Sequence, residues 1–226
     1  MSEVHDDQHP LDPTDHVAQL EGVLQRVSTS DRVVDLGAGL GRIGRPLAER
    51  GCEVVAVDHD AAVLAGGGWV DHPSVRPIVE DMLAPEATWH REGPYDVALC
   101  LGNTLALLLA HHDLDRLFER IASCLTDSGV LLVDDFPLWA WESVHAGDWP
   151  TGVSEDGQAQ ILWLPGEPAF AFRTGDAVDP AAEVPDEDER LLRLWSMSEL
   201  GHLSRNHGLS APTHHPEPNL LQFDRL

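Results

Sequence analysis

Lysine is absent from the 226-residue chain: all 14 basic residues are arginine, set against 39 acidic ones for a formal charge of −25. A basic stripe is therefore missing too, and with it the counterion release by which proteins bind nucleic acid or anionic membrane surfaces. The one run of arginines, Arg42, Arg45 and Arg50, falls along a single predicted helix among acidic neighbours. No stretch of about 18 apolar residues occurs, which excludes a transmembrane helix. The acidic, histidine-rich opening from Met1 to Asp15 has the wrong chemistry for a secretory signal. Cysteine is scarce: Cys52, Cys100 and Cys124 form no CxxC pair and sit in apolar segments, which reads as reduced, buried thiols in a cytoplasmic protein. The 13 histidines are scattered. His111-His112 and His214-His215 are adjacent pairs pointing to different faces, and His202 and His207 miss the spacing that puts two ligands on one helix face, so no metal is expected.

What is present is a 42% hydrophobic chain whose apolar residues fall in sharp clusters, long enough for one large α/β domain. Residues 1–13 read as a polar, proline-punctuated tail, and 14–226 as a single domain with an insertion over about 136–190. A helix is expected from Thr14 or Asp15 to Val27. Short apolar strands follow at Arg32–Leu36, Glu53–Asp58, Val75–Asp81, Tyr95–Leu101 and Val130–Asp134, the third near a sheet edge because of Pro77. Helices are expected at Ile43–Arg50, Ala61–Trp69 and Asp113–Leu125, the second weakened by Gly66-Gly67-Gly68. Near-continuous apolar strands alternating with helices indicate a parallel sheet covered on both faces. After Asp135 the regularity fails. A hairpin over Gln160–Trp163 and Ala169–Arg173, a strand at Leu191–Trp195, a helix at Ser198–His207 and a short segment at Leu220–Phe223 complete the reading.

The chemistry concentrates in Val33-Val34-Asp35-Leu36-Gly37-Ala38-Gly39-Leu40-Gly41-Arg42. Glycines at a strand-to-helix turn admit a ligand close to the backbone, and the next helix presents free N–H groups. Asp58 ends the second strand, where a carboxylate accepts both hydroxyls of a ribose. Two ligands fit this pattern. Gly39-x-Gly41-x-x-Gly44 with Asp58 matches a nicotinamide dinucleotide site, the mark of an NAD(P)-dependent oxidoreductase. Asp35-x-Gly37-x-Gly39-x-Gly41 instead suits a ligand carrying an ammonium group and a sulfonium.

On that second frame the sequence resembles the class I S-adenosylmethionine-dependent methyltransferases, over roughly residues 31–135. Asp35, Gly37, Gly39 and Gly41 match the family's first motif, and Asp58, followed by His59, its ribose-binding acid. Val79-Glu80-Asp81-Met82 is similar to the third-strand motif, and Tyr95 to Thr104 resembles the fourth-strand segment of small-molecule members. Leu125 to Val133 is similar to the turn and fifth strand. The resemblance implies a Rossmann-like fold, with a mainly parallel seven-stranded sheet, helices on both faces and an insertion after strand five. It implies S-adenosylmethionine as cofactor, with Asp35 toward its charged end, Asp81 and Met82 on adenine, and Leu101 and Asn103 beneath the transferring methyl. In this family an antiparallel hairpin finishes the sheet, for which Leu191–Trp195 and Leu220–Phe223 are the candidates.

The acceptor side is less marked. Asn103-Thr104-Leu105-Ala106 lacks the Pro-Pro-aromatic signature of enzymes that methylate nucleic-acid bases, and Asn103 could equally cap the next helix. Asp134 and Asp135 end the fifth strand, at the crevice of an open α/β sheet. His145, among Trp139, Trp141, Asp148 and Trp149, is the candidate general base together with Asp135, with a structural loop histidine as the alternative. The sequence therefore points to a cytoplasmic transferase acting at N or O of a small-molecule substrate. A protein methyltransferase is the further alternative, because an acidic surface attracts basic partners.

Overall fold

The structure, a computed structural model, describes residues 16–134, 146–147, 149, 151–216 and 218–226. Its centre is a seven-stranded sheet. β1 (Arg32–Leu36), β2 (Glu53–Asp58), β3 (Val75–Val79), β4 (Tyr95–Cys100) and β5 (Leu125–Asp134) are parallel, in the order β3-β2-β1-β4-β5. Val33, Val34, Asp35 and Leu36 are all buried, as expected of a central parallel strand covered on both sides. Alternation sorts its side chains: Val34 and Leu36 enter one core, Val33 the other. β3 lies at the sheet edge, and Pro77 is accommodated there.

Helices cover both faces. α1 (His16–Leu24), α2 (Gly44–Glu49) and α3 (Ala61–Gly66) bring Val23, Leu47 and Leu64 to one core. α4 (His111–Cys124) and α5 (Met197–Asn206) bring Leu114, Leu117, Phe118, Ile121 and Leu200 to the other. There the Tyr95 hydroxyl donates to the Trp89 carbonyl at 2.7 Å, satisfying a fully buried phenol. α5 starts on a capping box, with the Ser196 hydroxyl accepting from the Glu199 N–H and Glu199 accepting from the Ser196 N–H. No helix of the described residues is long and apolar enough to cross a membrane.

Two segments differ from the sequence expectation. The fifth strand runs ten residues from Leu125, directly off α4, with a register irregularity opposite Tyr95–Val97 in place of a separate turn at Asp127–Gly129. The hairpin that finishes the sheet is β9 (Thr213–His215) with β10 (Leu220–Asp224), β10 antiparallel to β5. Leu191–Arg193 instead forms β8 of a separate sheet with β6 (Ala159–Trp163) and β7 (Ala169–Thr174). The reason is packing: Leu192 and Leu194 join Ile161, Phe170 and Trp163 in a third apolar cluster. Thr213-His214-His215 is too polar to be recognised as a strand by pattern.

Arg193 ties this small sheet to the main body. Its side chain is 8% exposed; it donates to the Leu109 carbonyl at 2.8 Å, pairs with Glu199 at 3.3 Å and lies 4.2 Å over the Trp195 ring. Arg193→Ala should therefore destabilise the protein by about 1–3 kcal/mol, because a nearly buried side chain loses its hydrogen bond to the Leu109 carbonyl, its ion pair with Glu199 and its packing on Trp195. Lysine should not restore that loss, since it lacks the planar fork. Urea unfolding of the two variants checks both statements.

Candidate functional site

The strand order reverses between β1 and β4, and a crevice opens at the carboxyl ends of the strands at such a point. A cleft of about 250 Å³ lies there, walled by Gly37, Val57, Asp58 and His59 on one side and by Glu80, Asp81 and Met82 on another. Gly102, Thr104, Leu107 and Arg190 complete it.

Its floor is built from two loops packed against each other. Gly37 adopts φ +73°, and a Cβ there would stand 2.6 Å from the Thr104 hydroxyl oxygen, so glycine is required both by conformation and by contact. The Thr104 hydroxyl donates to the Leu101 carbonyl at 2.7 Å, which fixes the β4 side of that contact. The loop after β1 is held by β2: Asp58 Oδ2 accepts the Gly39 N–H at 2.9 Å and Oδ1 the Asp60 N–H at 3.0 Å. Each oxygen keeps a further lone pair for a ligand hydroxyl. The loop after β4 is held by β5: Asp134 Oδ2 accepts the N–H groups of Gly102 (2.6 Å) and Asn103 (3.0 Å), both in the left-handed region. Asp134 is thus a positioning group.

After β3 the two acids divide. Glu80 takes the N–H groups of Thr88 and Trp89 at 2.8–2.9 Å and caps the short helix Trp89–Glu92. Asp81 closes a local turn by accepting the Leu83 N–H at 2.8 Å and faces the cleft beside Met82. Arg116 and Arg120 on α4 support this segment, donating to the carbonyls of Leu83 (3.2 Å) and Ala84 (2.7 Å), and Arg120 also to that of Met82.

Of the residues expected from the sequence, Gly37, Asp58, His59, Asp81 and Met82 line the cleft. Asp35, Gly39, Gly41, Leu101 and Asn103 surround it without forming its wall. Asp35 is 4% exposed and lies against Gly44. Gly41 has a different neighbour: at φ +80°, its Cβ would stand 2.3 Å from the Trp69 indole. The indole also lies against Gly44 and Gly67. The triple glycine ends α3 at Gly66 and lets the chain turn so that Trp69 wedges beneath the β1 loop. Sequence reasoning took those glycines only as a weakness; the signal was a tryptophan directly after them. Asp135 and His145 lie outside the described residues. Thr104, Leu107 and Arg190 were missed as wall residues, and Arg190 was traceable as the lone cation closing an acidic run.

Burial raises the Asp35 carboxyl from 3.8 to about 7, against the opposing pull of Arg42 and of the Gly44 N–H. Between about pH 4 and pH 7 the native state thus holds a proton that the unfolded chain has released, so stability falls as pH rises through that window. The loss is on the order of 4 kcal/mol across it. Asp35→Asn should flatten this slope, with unfolding midpoints at pH 5 and pH 8 closer together than in the parent. In a separate test, Gly41→Ala should lower stability by several kcal/mol in the parent and by less in a Trp69→Ala background, where the collision is gone, so a double-mutant cycle in urea should be non-additive.

The chain is similar to known methyltransferases. Residues 33–129 match the family model described as a methyltransferase domain. A crystal structure of an S-adenosylmethionine-dependent methyltransferase from Clostridium acetobutylicum aligns with a TM-score of 0.69 at 11% identity, over 97% of this chain and 95% of that one. CalS10 from Micromonospora echinaspora, an amino pentose methyltransferase solved with S-adenosylmethionine bound, gives a TM-score of 0.64 at 17% identity, over 100% and 98% of the two chains. The Burkholderia thailandensis 1,6-didemethyltoxoflavin N1-methyltransferase, solved with that substrate and S-adenosylhomocysteine, gives a TM-score of 0.54 at 21% identity, over 99% and 81%. No curated protein sequence matches the chain.

Proposed function

We propose that the protein is a class I, S-adenosylmethionine-dependent methyltransferase acting at N or O of a small-molecule acceptor, a reading supported by the match of residues 33–129 to a methyltransferase-domain model and by the likeness in fold to solved methyltransferases. The observation that carries this reading is the convergence of Gly37, Asp58, Asp81, Met82 and Thr104 on one cleft at the reversal of strand order. Those residues fit the cofactor. Asp58, already oriented by two backbone N–H groups, offers its remaining lone pairs to the ribose hydroxyls. Asp81 and Met82 offer a carboxylate and a polarisable face to adenine. Asp35 and the backbone at Gly37 to Gly41 favour the charged methionine end.

The chemistry that S-adenosylmethionine supplies when bound is a methyl group already activated on sulfonium sulfur. The chain's own task is to position the two reactants in line and exclude water. The interlocked loops at Gly37 and Thr104 set where the transferring group sits relative to the acceptor side, which carries Gly102, Leu107 and Arg190. Proton removal from an amine or hydroxyl acceptor is proposed for His145 with Asp135. The packing of Trp69 and Asp35 against Gly44 accounts for the one glycine that only the dinucleotide frame requires, which favours the other frame. Small-molecule specificity is supported by the relatives named for an amino pentose and for 1,6-didemethyltoxoflavin.

Calorimetry tests the cofactor assignment: S-adenosylmethionine should bind and NADH should not. Asp58→Ala should weaken binding at least tenfold through lost ribose contacts. Equal affinity for the parent and the variant overturns the assignment. For the base, His145→Ala should lower kcat by about 100-fold or more with cofactor affinity unchanged.

A further inference from the structure

Arginine in this protein is almost a structural reagent. Arg173, 8% exposed in its side chain, pairs with Glu189 at 2.5 Å and Asp186 at 2.8 Å, and Arg193 is held by Glu199 and the Leu109 carbonyl. Arg190 lies between them in sequence and differs in both respects. It is exposed, and among the described residues it makes no hydrogen bond or ion pair. Two of the acids in the run before it, Asp186 and Glu189, are already taken by Arg173. The position is fixed, since the next residue, Leu191, starts β8 and is paired with Ala171 of β7.

Arg190 also lines the cleft, on the side of Leu107 and Thr104. Among the described residues it is the only arginine in that wall, and the other ionisable groups there are Asp58, His59, Glu80 and Asp81. All three acids accept backbone N–H groups and keep to the β2 and β3 ends of the cleft. The carboxylates thus belong to the β2 and β3 strand ends assigned to the cationic cofactor, and the guanidinium to the start of β8, which packs on Leu105–Leu107. A chain with 39 acids and 14 arginines has ample carboxylate to neutralise a surface arginine. Arg42, Arg50, Arg91 and Arg205 likewise show no side-chain hydrogen bond or ion pair among the described residues, but of these five only Arg190 lines the cleft, where its guanidinium is a bidentate donor for a carboxylate or a phosphate.

We infer that Arg190 selects an acceptor bearing an anionic group, either carboxylate or phosphate, and holds that group at the Leu107 side of the cleft. The inference rests on the methyltransferase reading and deepens it by giving the substrate class. An acceptor anchored at its anion leaves its nucleophilic atom to reach inward toward Thr104.

The test is binding to the full-length protein saturated with S-adenosylhomocysteine, followed by ligand-observed NMR and calorimetry. Benzoate is compared with benzamide, and phenyl phosphate with phenol. At least one anion should bind tenfold or more tighter than its neutral partner, and the better of the two identifies carboxylate or phosphate as the group read. Arg190→Gln should abolish that preference while leaving S-adenosylhomocysteine affinity within twofold. Anions that bind no better than their neutral partners, or that do not bind, overturn the inference. So does a tenfold loss of S-adenosylhomocysteine affinity in Arg190→Gln, which would assign the arginine to the cofactor. Failure of the parent protein to bind S-adenosylhomocysteine at all is a distinct result: it overturns the methyltransferase reading and this inference with it.

Discussion

Backbone N–H groups donating to strand-end carboxylates hold the loops at the working edge of the sheet. Asp58 at the end of β2 fastens the loop after β1 through Gly39, and Asp134 at the end of β5 fastens the loop after β4 through Gly102 and Asn103. The arrangement is symmetric about the reversal of strand order, where the two fastened loops meet as Gly37 against Thr104. Hydrogen bonds to ionised acceptors are shorter and about twice as strong as neutral ones, which suits a task that must survive ligand exchange. Asp58 is therefore both a support of the cleft and part of its wall, whereas Asp134 supports it without lining it. Asp58 is nearly buried, and its oxygens are met by the N–H groups of Gly39 and Asp60 and by the His59 imidazole at 3.4 Å.

The glycine loop serves two partners, and they should be separated. Gly37 answers to Thr104 across the sheet reversal; Gly41 answers to Trp69 from the turn after α3. A motif usually credited to ligand approach is here split between approach and internal packing. The indole beneath the loop also makes the loop's conformation depend on α3 ending early, which the triple glycine ensures. Flexibility at Gly66 to Gly68 is thus converted into rigidity at Gly41.

This division marks what was legible in the sequence. The five parallel strands, the edge position of β3 and the helices on both faces were readable because burial imposes a strong pattern on Val33–Leu36, Glu53–Asp58 and the α4 face. Asp58 was readable because it ends β2, and Asp81 and Met82 because Val79 to Met82 is similar to the family's third-strand motif. Trp69 was not, since its role is a tertiary contact with residues 25 or more positions away in sequence. The closing strand Thr213–His215 was not, because its partner β10 supplies the pairing and its own side chains carry no apolar alternation. The small sheet drew Leu191–Arg193 away from the main one because Leu192 had a nearer apolar cluster to join. Arg190 escaped notice for a related reason: its meaning depends on which neighbouring acids are already occupied.

The missing lysine has a structural counterpart in how the arginines are spent. Arg116 and Arg120 reach from α4 to the carbonyls of Leu83 and Ala84, Arg193 to that of Leu109, and Arg225 to that of His207. A guanidinium has five donors in a rigid fork, so a single side chain can bind a carbonyl and a carboxylate together, as Arg193 does. Acids in this protein collect N–H groups at loop starts, and arginines collect C=O groups at loop ends. The segment Asp81–Ala84 is held both ways, by Asp81 accepting from Leu83 and by α4 donating to its carbonyls. Several carboxylates beside the cleft are thus occupied by backbone N–H groups, and Arg116, Arg120, Arg173, Arg193 and Arg225 by carbonyls or acids. A charged side chain left outside that scheme at the mouth of the cleft is then free to be read by a ligand, and the polarity of the cleft follows from which groups the fold did not need.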